Sequence, residues 1–241
     1  MWQREVFFMN SLFYEIVDDG YVTYGFTGLG YAIGIALGVL LLLSVSFFIN
    51  KDGKGSISIK QLTTSALCLA LAFVLSNVKL FKAPMGGSVT LLSMFFITYI
   101  GYLYGPRVSL TAAFTYGLLQ LIVDPYIISF PQLLCDYIFA FTALGLAGFF
   151  YNKKNGMYIG YLVGIFGRFV FSVISGVIFF ADYAPESMSP LLYSVLYNGS
   201  YITVEAIITI VVIAIPAVHS GLNRLKFELN EKTLKRSVTV S

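Results

Sequence analysis

The chain has 241 residues, of which 58% are hydrophobic and only 11% are charged, and its mean hydropathy is +0.82. Soluble domains carry about 25% charged residues, so this composition excludes a soluble globular protein and indicates an integral membrane protein. The net charge is +3, but Lys and Arg stand in short connections between apolar runs, which argues against a nucleic-acid-binding surface. The apolar runs are long enough to cross about 30 Å of hydrocarbon as helices, which predicts an all-α polytopic fold.

Residues 1–60 are predicted to form an N-terminal unit that precedes the core. The unit starts with a helix lying at the membrane interface, whose apolar face comprises Trp2, Val6, Phe7, Leu12, Phe13 and Ile16. Residues 27–49 then form one additional transmembrane helix, in which glycines at four-residue spacing allow another helix to approach closely. A glycine-rich linker with three lysines, residues 51–60, completes the unit on the cytoplasmic side.

Residues 61–218 are predicted to form a core of six transmembrane helices. Their expected ranges are 61–80, 91–104, 108–123, 133–150, 157–181 and 191–218. Between the first two, Pro84 and the Gly86-Gly87 pair end the helix and favour a structured loop over residues 82–90. A basic tail, residues 219–241, follows the core.

The basic residues predict the orientation of the chain in the membrane. With seven spans, eleven Lys and Arg fall on one side (positions 51, 54, 60, 107, 153, 154, 224, 226, 232, 235 and 236), three fall on the other (4, 79 and 82), and Arg168 lies within a span. Because cytoplasmic connections carry the excess of positive charge, the C-terminus is expected in the cytoplasm and the N-terminus outside. Loops 82–90, 124–131 and 182–190 then face the exterior together.

Acidic and aromatic residues collect at the predicted outer end. The acids are Asp124, Asp136, Asp182 and Glu186, and the accompanying residues are Tyr126, Phe130, Tyr137, Phe179, Phe180, Tyr183, Tyr193, Tyr197 and, slightly deeper, Asn198. Aromatic faces and carboxylates attract organic cations, and each desolvated ring contact contributes about 1–2 kcal/mol. We therefore predict a pocket for a flat, positively charged or nitrogen-rich molecule. The alternative is an aromatic belt with solvated acids, which suits Asp136 and Asn198 poorly because both lie inside their spans.

Arg168 and Glu205 are predicted to lie at similar depth in two antiparallel spans. An unpaired charge inside the bilayer is costly, so we predict an ion pair between them. A structural clamp is favoured over a proton relay.

Signatures of an enzyme are missing from the sequence. Gly53-Lys54-Gly55 lacks the spacing of a nucleotide-binding loop. The single histidine, His219, lies at the opposite end from the acids, which leaves no serine–histidine or metal constellation. Cys68 and Cys135 fall inside spans, as buried small residues do. We expect a protein that is not an enzyme and that uses no cofactor and no metal.

Several stretches resemble the thiamine-specific substrate-binding subunits (S components) of energy-coupling factor (ECF) transporters, the ThiT/YuaJ family. They are PMGGSVT (84–90), YGLLQ (116–120), QLLCDYIFAF with GLAG (132–148), and RF…ISGVIFF…YAP…YS..YN between Arg168 and Asn198. The resemblance implies a six-helix core that binds the vitamin near its outer face, beneath loop 82–90. It also implies that the ligand contacts are Tyr126, Asp136, Tyr137, Gly176, Phe180, Tyr193 and Asn198.

Two positions depart from the family pattern. Ser172 stands where members often carry histidine, and Asp124 fills another polar position of the site. Relative to the family pattern, Ser172 removes the hydrogen-bond donor of an imidazole ring, and Asp124 adds a carboxylate. They leave open a second reading, in which the same scaffold binds another cationic or pyrimidine-type vitamin precursor.

The resemblance further implies partners. An S component in the bacterial plasma membrane captures its vitamin outside and docks on a membrane scaffold protein bound to two ATPases. Ala66 and Ala70 have the spacing of the small residues that form this contact, and a flat alanine stripe permits reversible helix association. A stand-alone proton-coupled carrier, which would use Asp136 or the Arg168–Glu205 pair, is the alternative from another functional class.

Overall fold

The computed structural model describes residues 11–18, 21–30, 32–33, 58–123 and 125–239. The predicted N-terminal transmembrane helix falls mostly outside these residues, as does Asp124.

Six helices succeed one another over the predicted core. They are α1 (Ile59–Ser76), α2 (Ser93–Tyr104), α3 (Pro106–Val123), α4 (Phe130–Phe150), α5 (Gly156–Phe179) and α6 (Pro190–Ala214). Within the described residues, α1, α4, α5 and α6 are long and apolar enough to span a membrane, and α2 is a shorter apolar helix. The predicted all-α membrane fold and its six core helices are confirmed.

Local sequence signals set where these helices begin. Ser58 and Gln61 form a capping box at the start of α1, each side chain bonding the other's backbone N–H. Ser189 caps α6, and Pro190 occupies the first turn, where its missing N–H costs nothing. Gly105, with φ of 82°, reverses the chain between α2 and α3.

Helix α2 lies at the centre of the bundle. Its residues Ile97, Ile100 and Leu103 are at most 1% exposed. Glycine allows the neighbouring helices to approach: a Cβ on Gly101 would lie 2.7 Å from the backbone nitrogen of Gly148. In membrane proteins, small residues at helix contacts let the backbones approach closely, which strengthens van der Waals packing.

An antiparallel hairpin lies at the N-terminal end of the described chain. It pairs β1 (Phe13–Asp18) with β2 (Tyr21–Phe26), and the Tyr24 N–H donates to the Ile127 carbonyl at 2.7 Å. The predicted interfacial helix is therefore wrong for Phe13 and Ile16. Aromatic and β-branched residues flank an Asp-Gly dipeptide in this stretch, which is the sequence signal of a tight hairpin.

A second hairpin joins α1 to α2. It pairs β3 (Lys79–Lys82) with β4 (Ser88–Thr90) around the turn Pro84–Gly86. Gly86 has φ of 86°, and a Cβ there would also lie 3.0 Å from Tyr126. The structured loop predicted over residues 82–90 is this hairpin.

The last helix, α7 (Pro216–Thr239), follows a break at Ile215 and runs across the end of the bundle opposite the second hairpin. Tyr99 donates its hydroxyl hydrogen to the Leu222 carbonyl at 2.8 Å. Further along, Lys60 donates to the Leu229 carbonyl, also at 2.8 Å. The described part of the predicted tail is therefore a helix that is hydrogen-bonded to α1 and α2.

Candidate ligand-binding site

A cavity of about 130 Å³ lies among α3, α4, α5, α6 and the second hairpin. Eight of the nine predicted ligand contacts line it: Tyr126, Asp136, Tyr137, Ser172, Gly176, Phe180, Tyr193 and Asn198. The ninth, Asp124, lies outside the described residues. Side chains from four separate segments of sequence thus converge on one space, although their role in binding stays a prediction.

Asp136 is held by Gln132, one helical turn earlier in α4. Its Oδ2 atom accepts a hydrogen bond from Gln132 Nε2 at 2.6 Å. The same amide donates to the Tyr126 carbonyl and accepts from the Ile128 N–H, each at 3.1 Å. Gln132 is 1% exposed, so it fixes the carboxylate against the backbone segment that carries Tyr126.

A wide helical turn sets the direction of Asp136 and Tyr137. Residues Leu134–Phe139 of α4 form a π-helix. Such turns accommodate one extra residue and are frequent at functional sites. Both side chains consequently line the cavity, and the Tyr137 hydroxyl accepts from the Tyr126 N–H at 2.6 Å.

Aromatic rings form part of the cavity wall. Tyr126 and Phe180 are stacked, with centroids 6.1 Å apart and planes inclined by 26°. Tyr193 and Tyr197 form a similar pair at 6.0 Å and 24°. These faces suit a flat or cationic ligand, because the ring quadrupole attracts positive charge.

Tyr197 connects α6 to the turn of the second hairpin. Its hydroxyl accepts from the Gly87 N–H at 3.1 Å and donates to the Pro84 carbonyl. A Cβ on Gly87 would lie 2.6 Å from that hydroxyl and 2.9 Å from the ring of Tyr201. The turn therefore rests directly on the tyrosines of α6.

Asn198 lines the cavity, but its side-chain amide is hydrogen-bonded to other residues of the protein. Its Nδ2 donates to the carbonyls of Ser194 at 3.0 Å and Ser172 at 3.3 Å, and its Oδ1 accepts from the Tyr201 hydroxyl at 2.7 Å. Asn198 therefore joins α5 to α6. A ligand that bonds to this amide must compete with the contacts already present.

The predicted Arg168–Glu205 ion pair is wrong. The Glu205 carboxylate accepts from the N–H of Thr90 at 2.9 Å and from its hydroxyl at 2.6 Å. It also accepts from the Ser93 hydroxyl at 3.2 Å and the Met94 N–H at 3.3 Å. The carboxylate thus faces the N-terminus of α2, where unpaired N–H groups favour an anion.

Arg168 faces the cavity instead. Its guanidinium carbon lies 4.4 Å from the centroid of the Phe141 ring. The two side chains thus have different neighbours: Arg168 contacts the Phe141 ring of α4, and Glu205 contacts β4 and the start of α2.

The predicted group of carboxylates is not assembled among the described residues. Asp182 and Glu186 are exposed and lie outside the lining, whereas Asp136 lies within it. Two basic residues, Lys79 and Arg168, also line the cavity. The described lining therefore combines one carboxylate with two cationic groups, rather than the electronegative surface expected from the sequence.

Ala66 and Ala70 lie on an exposed face of α1, away from the cavity. Leu62 and Leu67 on the same helix are 62% and 60% exposed. The face is apolar and accessible to lipid or to another helix, and its role in partner docking stays a prediction.

Sequence reasoning missed several lining residues. They are polar or aromatic side chains from four helices: Ser76, Tyr116, Gln120, Gln132, Ser194 and Tyr201. Spacing carried a signal for some of them. Gln132 precedes Asp136 by four residues, and Ser194 and Tyr201 lie four residues before and three after Asn198, so each pair shares a helix face.

The chain is similar to known thiamine transporters. The family described as "Thiamine transporter protein (Thia_YuaJ)" matches residues 62–223. Thiamine transporter ThiT of Bacillus subtilis (strain 168) is 32% identical over 171 residues, covering 64% of this chain and 88% of that protein. Thiamine transporter ThiT of Lacticaseibacillus paracasei is 28% identical over 121 residues, covering 43% of this chain and 60% of that protein.

A solved structure, ThiT from Listeria monocytogenes phased by native SAD, superposes with a TM-score of 0.54. The match covers 66% of this chain and 96% of that one at 24% identity, which shows a shared fold. The family match spans more than half of the chain and coincides with the six helices that enclose the cavity. The chain is an integral membrane protein that belongs to the thiamine transporter protein family.

Proposed function

We propose that the chain captures thiamine in this cavity and serves as the membrane substrate-binding subunit for its uptake. The observation that carries the proposal is the convergence on one cavity of eight of the nine predicted ligand contacts, seven of which match the family pattern. Asp136 provides the negative charge, and the rings of Tyr126 and Phe180 provide the stacking surface for a flat cation.

The proposed orientation places the cavity at the outer face. The Tyr24–Ile127 hydrogen bond holds the N-terminal hairpin beside the loop between α3 and α4, next to Tyr126. Among the described residues, the opposite end of the bundle carries α7 together with Lys60, Lys153, Lys154 and Lys226. Because positive residues favour the cytoplasmic side, this orientation exposes the cavity to the exterior of a bacterial plasma membrane.

The proposed domain organisation follows the same division. Residues 61–218 form the substrate-binding core, residues 1–60 add the N-terminal hairpin and a further membrane helix, and residues 219–241 form the cytoplasmic helix and tail. Energy for uptake comes from an ECF scaffold protein and its two ATPases, which dock on the Ala66/Ala70 face of α1. A flat, exposed apolar face permits such a reversible contact.

Calorimetric titration of the purified protein with thiamine, pyridoxine and a bare hydroxymethylpyrimidine tests the ligand. Thiamine is expected to bind in the nanomolar range and the other two far more weakly. Asp136→Asn is expected to reduce thiamine affinity about tenfold or more, because a charge-assisted contact is lost. Asp182→Asn, at an exposed acid outside the lining, is the matched control. Unchanged affinity in both Asp136→Asn and Asn198→Ala would remove the site assignment.

A second ligand class has an observation in its favour. The two basic side chains in the lining, Lys79 and Arg168, favour an uncharged ligand with acceptor atoms, such as a pyrimidine-type precursor, over a cation. Tighter binding of a pyrimidine-type precursor than of thiamine would establish this alternative.

Uptake into vesicles distinguishes the energy source. With an ECF scaffold and ATPases present, uptake is expected to require ATP, and Ala66→Leu with Ala70→Leu is expected to weaken co-purification with the scaffold. Proton-driven uptake by the isolated chain would instead identify a stand-alone carrier.

A further inference from the structure

Arg168 is an ionisable residue in the middle of a membrane span, and its side chain lines the cavity. One contact is clear: the guanidinium lies over the Phe141 ring at 4.4 Å. Among the described residues, no hydrogen bond or ion pair engages its N–H groups. Glu205, the carboxylate expected beside it, is occupied by the N-terminus of α2.

This arrangement leaves donor capacity inside the cavity. A guanidinium has five N–H donors and no acceptor, and it stays charged at every physiological pH. A ring face offsets part of the desolvation cost but accepts no conventional hydrogen bond. Charged residues inside membranes are therefore expected to find a polar partner, and here the accessible space is the cavity.

The charged residues of the described lining lie on two helices, α4 and α5, and on β3, which carries Lys79. Asp136 on α4 and Arg168 on α5 interact electrostatically without forming an ion pair. A ligand that satisfies both must present a donor or positive group near the carboxylate and an acceptor near the guanidinium. A permanently cationic ring is repelled from Arg168, since like charges interact strongly in a poorly hydrated site.

We propose that Arg168 is a specificity-determining residue that recognises a hydrogen-bond acceptor on the uncharged ring of the ligand. This inference rests on the proposed function. For thiamine, the acceptor is a nitrogen of the aminopyrimidine ring, and the thiazolium ring stays on the side of Tyr126 and Phe180. Arg168 thereby sets which end of the ligand enters first.

A pair of ligands tests the proposal. Thiamine is compared with 3-benzyl-5-(2-hydroxyethyl)-4-methylthiazolium, which keeps the cationic ring but carries a phenyl group in place of the aminopyrimidine. Affinities of both are measured by calorimetry for the wild type, Arg168→Gln and the control Arg107→Gln, whose arginine is exposed at the start of α3. The readout is the ratio of the two affinities.

The wild type and Arg107→Gln are expected to prefer thiamine strongly. In Arg168→Gln that preference should fall about ten- to hundredfold, the range for a hydrogen bond to a charged group. The affinity for the benzyl compound should stay within about threefold or rise, because a repulsive charge has been removed. An unchanged preference in folded Arg168→Gln overturns the role of Arg168.

Arg168→Lys serves if Arg168→Gln does not elute as a folded monomer. Lysine keeps the charge but loses the planar, multiple-donor geometry, so the preference should still fall at least about threefold. A wild-type preference in this variant also overturns the proposal. Failure of the wild type to bind thiamine at all would instead overturn the proposed function, which separates the two failures.

Discussion

The carboxylate of Glu205 in α6 bonds twice to Thr90 in β4, through the backbone N–H at 2.9 Å and the hydroxyl at 2.6 Å. It also reaches the N–H of Met94, in the first turn of α2. The residue before α2, Leu92, has φ of 60° and gives no side-chain cap. A residue 115 positions away from Thr90 therefore performs the capping that the local sequence lacks.

Glu205→Gln should destabilise the protein by about 2–4 kcal/mol, because a buried, charge-assisted acceptor is replaced by an amide whose NH₂ faces other donors. A lower midpoint of thermal unfolding in detergent would record the loss. Glu228→Gln is the control, since Glu228 is half exposed and pairs with Arg224 on the surface of α7. Equal stability of Glu205→Gln and wild type would contradict the capping role.

Gly176→Ala should weaken both folding and ligand binding. A Cβ at this position would overlap Ser194 Oγ and lie 2.9 Å from Ser194 Cβ, so α5 and α6 would have to separate at the cavity. We expect a loss of about 1–3 kcal/mol, as for other overpacked sites. Gly199→Ala is the matched control, because its Cβ would meet only Phe169 at an ordinary 3.7 Å.

The double variant Gly176→Ala with Ser194→Ala provides a further check. Removal of the Ser194 hydroxyl relieves the shortest overlap but not the one with its Cβ. Partial recovery of the unfolding midpoint is the expected result. If the unfolding midpoint does not recover, the destabilisation by Gly176→Ala arises from a contact other than the one with the Ser194 hydroxyl.

Tyr197→Phe should loosen the hairpin turn at residues 84–87. The change deletes the acceptor of the Gly87 N–H and the donor to the Pro84 carbonyl while it keeps the ring. Hydrogen exchange of the turn amides is expected to accelerate at least tenfold, since a lost hydrogen bond of about 1.4 kcal/mol corresponds to that factor. Tyr158→Phe, which removes a hydroxyl beside His219 in α7, should leave this turn unchanged.

Tyr24→Pro should detach the N-terminal hairpin from the core without unfolding the hairpin. The Tyr24 N–H points away from β1 and donates to Ile127, so proline removes this bond at an edge where it is tolerated. We expect faster hydrogen exchange and proteolysis around residues 125–128 and weaker ligand binding through Tyr126. Val22→Pro, two residues earlier on the same strand edge, is the control.

Lys226 provides a pH-dependent prediction outside the membrane spans. It lies 3.6 Å from the centroid of the Tyr102 ring and donates to the Tyr151 carbonyl, and its partial burial lowers its pKa below the usual 10.5. Between the lowered value and 10.5 the unfolded chain binds more protons than the folded one. The free energy of unfolding therefore gains a component that rises with pH across this window. Lys226→Gln should flatten that slope, measured by chemical unfolding from pH 8 to about 10.5.

Hydropathy was sufficient to predict α1, α4, α5 and α6, because a membrane span needs a long apolar run whatever it packs against. The shorter α2 and α3 were predicted because the turn at Gly105-Pro106 divides the apolar stretch between them. Eight residues of the cavity lining were predicted from the polar and aromatic positions of those runs together with the family resemblance. The neighbours of the Arg168 side chain could not be predicted from the sequence. The depth of a residue along a helix does not define the direction of its side chain around the helix axis. The spacing of Phe13 and Ile16 fits both a helix and a strand in so short a stretch, and the Asp-Gly dipeptide between two apolar runs is the signal that favours a hairpin.

The π-helical stretch of α4 also bears on how this protein tolerates deletions. Its wide turn holds a surplus residue, so a single deletion within Leu134–Phe139 would restore regular winding. The later part of α4, including its close contact with α2 at Gly148, would keep its packing. Loss of one residue from a regular α-helix rotates one flank by about 100° about the axis, but here the wide turn absorbs the deletion. The stretch that carries Asp136 can therefore change while the flanks of α4 keep their orientation.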